Sequence, residues 1–346
     1  MSRLRCAFCH SEQLTILPET DDKGQIYRCE KCKERMHPLE SFPVLPKTQE
    51  PFMRLLHVGG RQNYIGPAQN LLKLFGNAME LYVCEADPEV KNAGIEEGYD
   101  ERYQTKVFTL PYCLYNRHGE HDFHINKDPD SSSLLPSYPY AKKDFNTKVA
   151  WGDVTQAIKT ITLRTETVNG LIHRGIIKKP HFISLDTQGV EYDILDKASA
   201  ALKEETIGVV TEVEFHQLYQ DQHLFGDISK LLNEWGFRLF RLYNMETWYP
   251  TDKCTVGDGM LTVAEALFLR DWRWYFTSRG EEGNPANLWA LPRLVGAAVA
   301  FNQWSYAYEI IERINAVCPE LWEHVVKKNE FWFCDINVIN KIKEGV

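Results

Sequence analysis

From residue 53 onward, short apolar runs alternate along the chain with stretches whose apolar positions recur at helical spacing. The runs predict strands over 53–58, 81–84, 105–115, 121–126, 181–186, 207–215, 238–244 and 259–269. The helical spacing predicts helices over 66–75, 153–160, 165–177, 189–202 and 225–235. Strands that alternate with helices imply an α/β domain built on a doubly wound, mostly parallel sheet. After residue 286 the strand pattern stops. Residues 291–301 and 305–317 read as two antiparallel helices joined near Asn302 and Gln303, and 321–328 as a third. Trp304, Tyr306, Ala307, Ile310 and Ile311 form an apolar stripe at helical spacing. That stripe suits packing against the central domain or another subunit, with docking of a protein partner as the alternative. Before residue 46 the pattern differs again: two short strands, 14–18 and 25–28, flank a turn at Asp21 to Gly24. Pro43, Pro46 and Pro51 mark one linker and the polar 279–284 another. The expected units are therefore 1–46, 47–275 and 276–346.

Four of the nine cysteines fall in the first unit and give it a chemistry. Cys6 and Cys9 form one CxxC knuckle, Cys29 and Cys32 a second, with 19 residues between. Two such knuckles joined by a hairpin can close a tetrahedral four-thiolate site, the pattern of a zinc ribbon. A segment this short buries little core, so bound zinc would supply much of its folding energy. An iron site with the same ligands is the alternative. A closed four-thiolate site has no open position for catalysis, which makes the zinc structural.

Composition narrows the function classes. A chain of 346 residues with 44% hydrophobic and 25% charged residues has enough apolar material for a full globular core. No apolar run reaches the roughly 18–20 residues that a membrane helix needs. A net charge of −9 disfavours nucleic acid or an anionic membrane as the main partner. The N-terminus lacks a signal-peptide apolar core and the cysteine count is odd, so a reducing, cytoplasmic setting is expected rather than a disulfide framework.

Ligands of open α/β sheets bind at the carboxyl ends of the strands, where strand order reverses. The polar and glycine positions fall there: Gly59 and Gly60 after the first run, Glu85 after the second, Asp186 after the strand 181–186, and Glu212 and Glu214 on the next. A glycine turn followed 25 positions later by an acidic strand tip suits the ribose of a nucleoside cofactor. The GxGxxG fingerprint is absent, which favours S-adenosylmethionine over a nicotinamide cofactor.

Residues 181–195, with Asp186, Gln188, Gly189, Glu191 and Leu195, resemble the signature segment of the FkbM family of methyltransferases. Leu81 to Pro88, Asn116 to Gly119 through Ser131 to Leu134, and Val210 to Tyr219 followed by Gly236 and Phe237 resemble further blocks of that family, in the same order. The resemblance covers 53–270. It implies a class I, Rossmann-like methyltransferase fold and S-adenosylmethionine-dependent O-methyl transfer, commonly to a sugar hydroxyl. On the matched blocks it implies cofactor contacts from Glu85, Ala86, Ser133, Asp186 and Gln188, and the end of the first strand adds Gly59, Gly60 and His57 as candidate contacts. His57 stands where the family usually has an acidic residue, and the glycine loop is longer, which keeps a non-catalytic adaptor with a degenerate pocket among the readings.

Methyl transfer aligns acceptor oxygen, methyl and sulfur, and removes the hydroxyl proton as the new bond forms. Asp186 at its strand tip is the first candidate for that base, against the reading that it caps the following helix. Glu214 is the second candidate. Glu212, Glu214 and His216 alternate and so share a strand face, where with Asp186 they could hold Mg²⁺. His118, His121 and His124, spaced by three on a hairpin pattern, change faces and do not suggest a metal site. Tyr138, Tyr140, Trp151, Trp248 and Tyr249 are candidates for stacking on a sugar, against ordinary packing. The expectation is an O-methyltransferase whose partner is a sugar-containing acceptor, with a small natural product as the alternative acceptor. A second copy or another protein could bind through the C-terminal helices or the ribbon.

Overall fold

The computed structural model describes residues 52–59, 65–86, 96–140, 151–250, 254, 256–277 and 290–317, and five strands before them. Those strands are β1 (Leu4–Cys6), β2 (Leu14–Asp21), β3 (Gly24–Cys29), β4 (Arg35–Met36) and β5 (Ser41–Pro43). The predicted hairpin is present: β2 and β3 pair antiparallel, with Asp21 opposite Gly24 and Leu14 opposite Cys29. β4 joins β3, and β1 pairs with β5. Cys6 and Cys29 end β1 and β3, whereas Cys9 and Cys32 lie outside the described residues.

The main chain of strands continues with β6 (Met53–Gly59), β7 (Met79–Cys84), β8 (Glu96–Asp100) and β9 (Thr105–Leu110). A small sheet follows, made of β10 (Cys113–Leu114), β11 (Gly119–Asn126) and β12 (Ala157–Glu166). The last four are β13 (Phe182–Asp186), β14 (Gly208–Glu214), β15 (Phe237–Trp248) and β16 (Met260–Arg270). Eight of these form one mixed sheet in the order β15-β16-β14-β13-β6-β7-β9-β8. The five strands β9, β7, β6, β13 and β14 run parallel, and β8, β16 and β15 are added through antiparallel pairs. The chain steps outward from β6 to β7 and β9, then returns to β6's other side at β13. Strand order therefore reverses between β6 and β13, and a crevice is expected at their carboxyl ends.

Period two decides which side chains serve which face. Leu55 falls in one apolar cluster, with Phe75 and Leu294; its neighbour Leu56 falls in another, with Leu171, Ile194 and Leu232. Both faces are thus covered, which is why these strands read as nearly continuous apolar runs. The helices Ala290–Ala300 and Trp304–Val317 share the first cluster with β6 and the helix Gln69–Phe75. Arg293 Nε donates to the carbonyl of Phe52 at 2.6 Å, and Tyr306 Oη to that of Arg270 at 2.5 Å. The apolar stripe of the C-terminal pair is therefore spent on the sheet. The expected third helix, 321–328, lies outside the described residues. Among the described residues no helix is long and apolar enough to cross a membrane.

Several local expectations are corrected: the strand expected over 105–115 is divided between β9 and β10, and the helix expected over 165–177 is only Val168–His173. The predicted helix over 153–160 is a single turn, Trp151–Val154, followed by the ten-residue strand β12. The β-branched Ile158, Thr160, Ile161 and Thr162 favour an extended chain there, and β11 supplies an antiparallel partner. The strand expected over 238–244 extends to Trp248, because β16 continues to pair with it across irregular register.

Candidate functional site

β6 and β13 meet at their tips, where Gly59 stands in register with Asp186. Gly59 has φ +83°, and a Cβ built on it would fall 1.7 Å from the Asp186 carbonyl oxygen. Only glycine fits this left-handed, crowded position. Beside these tips lies a cleft of about 630 Å³, part of it open to solvent. Its polar lining includes Glu85, Asp130, Asp186 and Gln188; Tyr112, Leu114, Leu134 and Val190 give apolar walls. Of the residues singled out in the sequence, the cleft brings together Gly59, Glu85, Ala86, Asp186 and Gln188. Gly60 lies outside the described residues. Ser133 is buried just behind, its Oγ donating to the Gln188 carbonyl at 2.7 Å.

Two expected site residues stand off the lining. His57 is buried, with Nδ1 3.1 Å from Ser184 Oγ. On β6 it shares a face with Met53 and Leu55, which belong to the cluster of the helix Gln69–Phe75. Glu214 ends β14 at 1% exposure, also away from the cleft's lining.

The loop after β13 settles the competing role of Asp186. The amides of Thr187 and Gly189 donate to Glu191, at 2.7 and 3.0 Å, as does Thr187 Oγ1 at 2.9 Å. Glu191, not Asp186, therefore satisfies the loop leading into the helix Glu191–Asp196. Asp186 Oδ1 instead accepts a hydrogen bond from Gln188 Nε2 at 2.8 Å. The same nitrogen donates to Glu212 Oε2 at 3.1 Å.

Asp186, Glu191, Glu212, Glu214 and Glu265 form a concentration of carboxyls at the strand ends. Burial pushes Asp186 above the usual carboxylate range and nearby Asp130 adds to it, while the Gln188 hydrogen bond pulls it back. Burial likewise pushes Glu191 and Glu265 each to about 7, and Glu212 and Glu214 well up. Glu212 and Glu265 face each other across β14 and β16. Neighbouring carboxyls of this kind shed protons reluctantly, because each ionised group raises the cost of the next.

The candidate Mg²⁺ site finds no support among the described residues. Among the described residues no group of three or more His, Cys, Asp or Glu side chains is placed to hold a metal ion. The Gln188 amide sits between Asp186 and Glu212 and engages both, and β14 has ended before His216. His118, His121 and His124 are spread over the small sheet, His121 and His124 bonding Thr165 and Thr160 of β12. Of the aromatic candidates, Tyr138 lies edge-on to exposed Tyr140 with ring centroids 5.6 Å apart. Tyr138 also packs with Leu218, Tyr219 and Trp248, while Tyr249 Oη donates to the Gly257 carbonyl. The Trp151 side chain lies outside the description.

Sequence reading missed Tyr219 and Glu265. A glutamate within the apolar run Val263 to Leu267 was a visible signal for the second. Nothing local marked the first, whose hydroxyl meets segments 31 and 88 residues away.

A family model described as "Methyltransferase FkbM domain" matches residues 19–239, well over half of the chain. Comparison with curated proteins gives no match, and neither does comparison with solved structures.

Proposed function

The chain belongs to the FkbM family of methyltransferases, and from that premise we propose that it moves the methyl group of S-adenosylmethionine onto a hydroxyl oxygen, a sugar hydroxyl by preference. One observation carries the reading: the cleft at the β6 and β13 tips gathers Gly59, Glu85, Ala86, Asp186 and Gln188. The donor set fits the cofactor. Glu85, at the tip of β7, would accept from both ribose hydroxyls, Tyr112, Leu114 and Leu134 would cover the base, and Gly59 lets backbone approach without a side chain. The doubly wound class I architecture is part of the proposal, and the strand order with its reversal at β6 and β13 supports it.

When bound, the cofactor supplies an electrophilic methyl group on a sulfonium. The chain's own contribution is alignment and a base. Asp186 receives the acceptor's hydroxyl proton as the oxygen attacks, and its partly desolvated carboxyl is more basic than one in water. The apolar walls limit water that would compete as acceptor. For the sugar, Tyr138 and Tyr140 offer aromatic faces beside a groove lined by His124, Ser137, Thr155 and Gln156.

Calorimetric titration is the test. S-adenosylmethionine should bind one-to-one, and Glu85→Ala should weaken it by about 10–100-fold, the value of hydrogen bonds to a charged acceptor. Folded protein that gives no heat at high micromolar cofactor sinks the proposal. The second part of the proposal is a structural zinc held by Cys6, Cys9, Cys29 and Cys32, supported by the two knuckles and the β2–β3 hairpin. Elemental analysis should find one zinc per chain, and a Cys29→Ser protein that keeps full metal would contradict it.

A further inference from the structure

Gln188 is the most heavily bonded side chain at the cleft. It holds a left-handed backbone, φ +58°, which a non-glycine residue adopts only when its surroundings enforce it. Its carbonyl accepts from Ser133 Oγ at 2.7 Å. Its Nε2 donates to Asp186 and Glu212. Its Oε1 accepts from Tyr219 Oη at 3.0 Å, and the same hydroxyl, with its single proton, also donates to the Ser131 carbonyl at 2.9 Å.

Tyr219 is itself rigidly placed. It is fully buried, its amide and that of Leu218 donate to Gln222 Oε1, and it bridges to Ser137. Its ring lies against Gly189, where a Cβ would come within 2.9 Å. The phenol therefore reaches Gln188 from a fixed base, with its one proton shared between the Ser131 carbonyl and Gln188 Oε1.

We propose that Tyr219 is a positioning residue: its buried hydroxyl helps hold the Gln188 amide with its NH₂ turned onto Asp186 and Glu212, so that Asp186 is kept as an oriented acceptor. The proposal rests on the reading of Asp186 as the base. Burial and the charge of Asp130 in the 129–131 turn work against ionisation of Asp186, and its own charge in turn holds up Glu191 on its helix, Glu212 and Glu214 on β14, Glu265 on β16 and the Tyr219 phenol. The Gln188 hydrogen bond is the influence that favours the charged form. A glutamine amide can turn end for end at little intrinsic cost, and a turned amide would present its oxygen to two carboxyls. The Tyr219 hydroxyl, sharing its proton between the Ser131 carbonyl and Oε1, adds to the preference for the orientation that keeps the NH₂ on the two carboxyls.

The test compares the native chain with Tyr219→Phe, each carrying ¹³C at the aspartate side-chain carboxyls. The Asp186 resonance is identified by its loss in Asp186→Asn. Tyr219→Phe should raise the Asp186 midpoint by about half a pH unit or more. The acid limb of the pH–rate profile should move up by the same amount, with cofactor affinity within about twofold. Gln188→Asn, one methylene too short to reach both carboxyls, should shift the midpoint in the same direction and reads the clamp should the phenylalanine variant not fold. An unchanged or lowered midpoint in the folded variants overturns the proposal, even if thermal stability falls, because packing alone would give that result. If Asp186→Asn keeps full methyl transfer, the base assignment fails, while the carboxyl titration still reports on the clamp.

Discussion

Asp186→Asn is expected to lower the rate of methyl transfer by about 10²–10⁴-fold, the usual contribution of a positioned general base. Asparagine keeps the shape and the polar contact at the tip of β13 but has no basic oxygen for the acceptor's proton. Because Glu191 rather than Asp186 receives the amides of Thr187 and Gly189, the loop should survive the change. Cofactor affinity should stay within about threefold, so the loss should appear in kcat. Glu214 supplies the contrast. It is buried at 1% exposure and does not line the cleft. A rate unaffected by Asp186→Asn would transfer the role elsewhere.

Among the described glycines, Gly59→Ala should be the most damaging substitution. The left-handed backbone alone costs about 1–3 kcal/mol for a residue with a Cβ. Here the added carbon would also fall 1.7 Å from the Asp186 carbonyl oxygen, which is backbone of a central strand and cannot swing aside. β6 and β13 would have to separate at the point that forms the cleft. A total loss above about 3 kcal/mol is expected, read as a fall in denaturation midpoint, together with loss of cofactor heat in calorimetry. Unchanged stability and binding would mean that the tips of β6 and β13 do not meet as described.

The strand tips were legible because a parallel strand buried on both faces leaves a simple trace: an apolar run that stops at a glycine or an acid. Val58 before Gly59, Cys84 before Glu85 and Leu185 before Asp186 all show it, and all three endings line the cleft. β12 was illegible as a strand because its ten residues are mostly exposed and carry no core pattern. Its partner β11, not its own hydrophobicity, fixes it. His57 and Glu214 were placed correctly on strands near the site, but depth and face were not readable from spacing. A period of two says which residues share a face, not which face meets the cleft.

The sequence by itself determined the buried central strands, the paired CxxC knuckles, and the glycine and carboxylates at the strand tips, because each follows from local periodicity or short spacing. Only the tertiary structure decided what those groups do to one another. It gave the loop amides to Glu191 and left Asp186 to Gln188, put that amide between two carboxyls that spacing alone had assigned to a cation, and brought Tyr219 to it from a distant segment. Hydrogen-bond partners and desolvation depend on which segments converge in space, and nothing along the chain records that convergence.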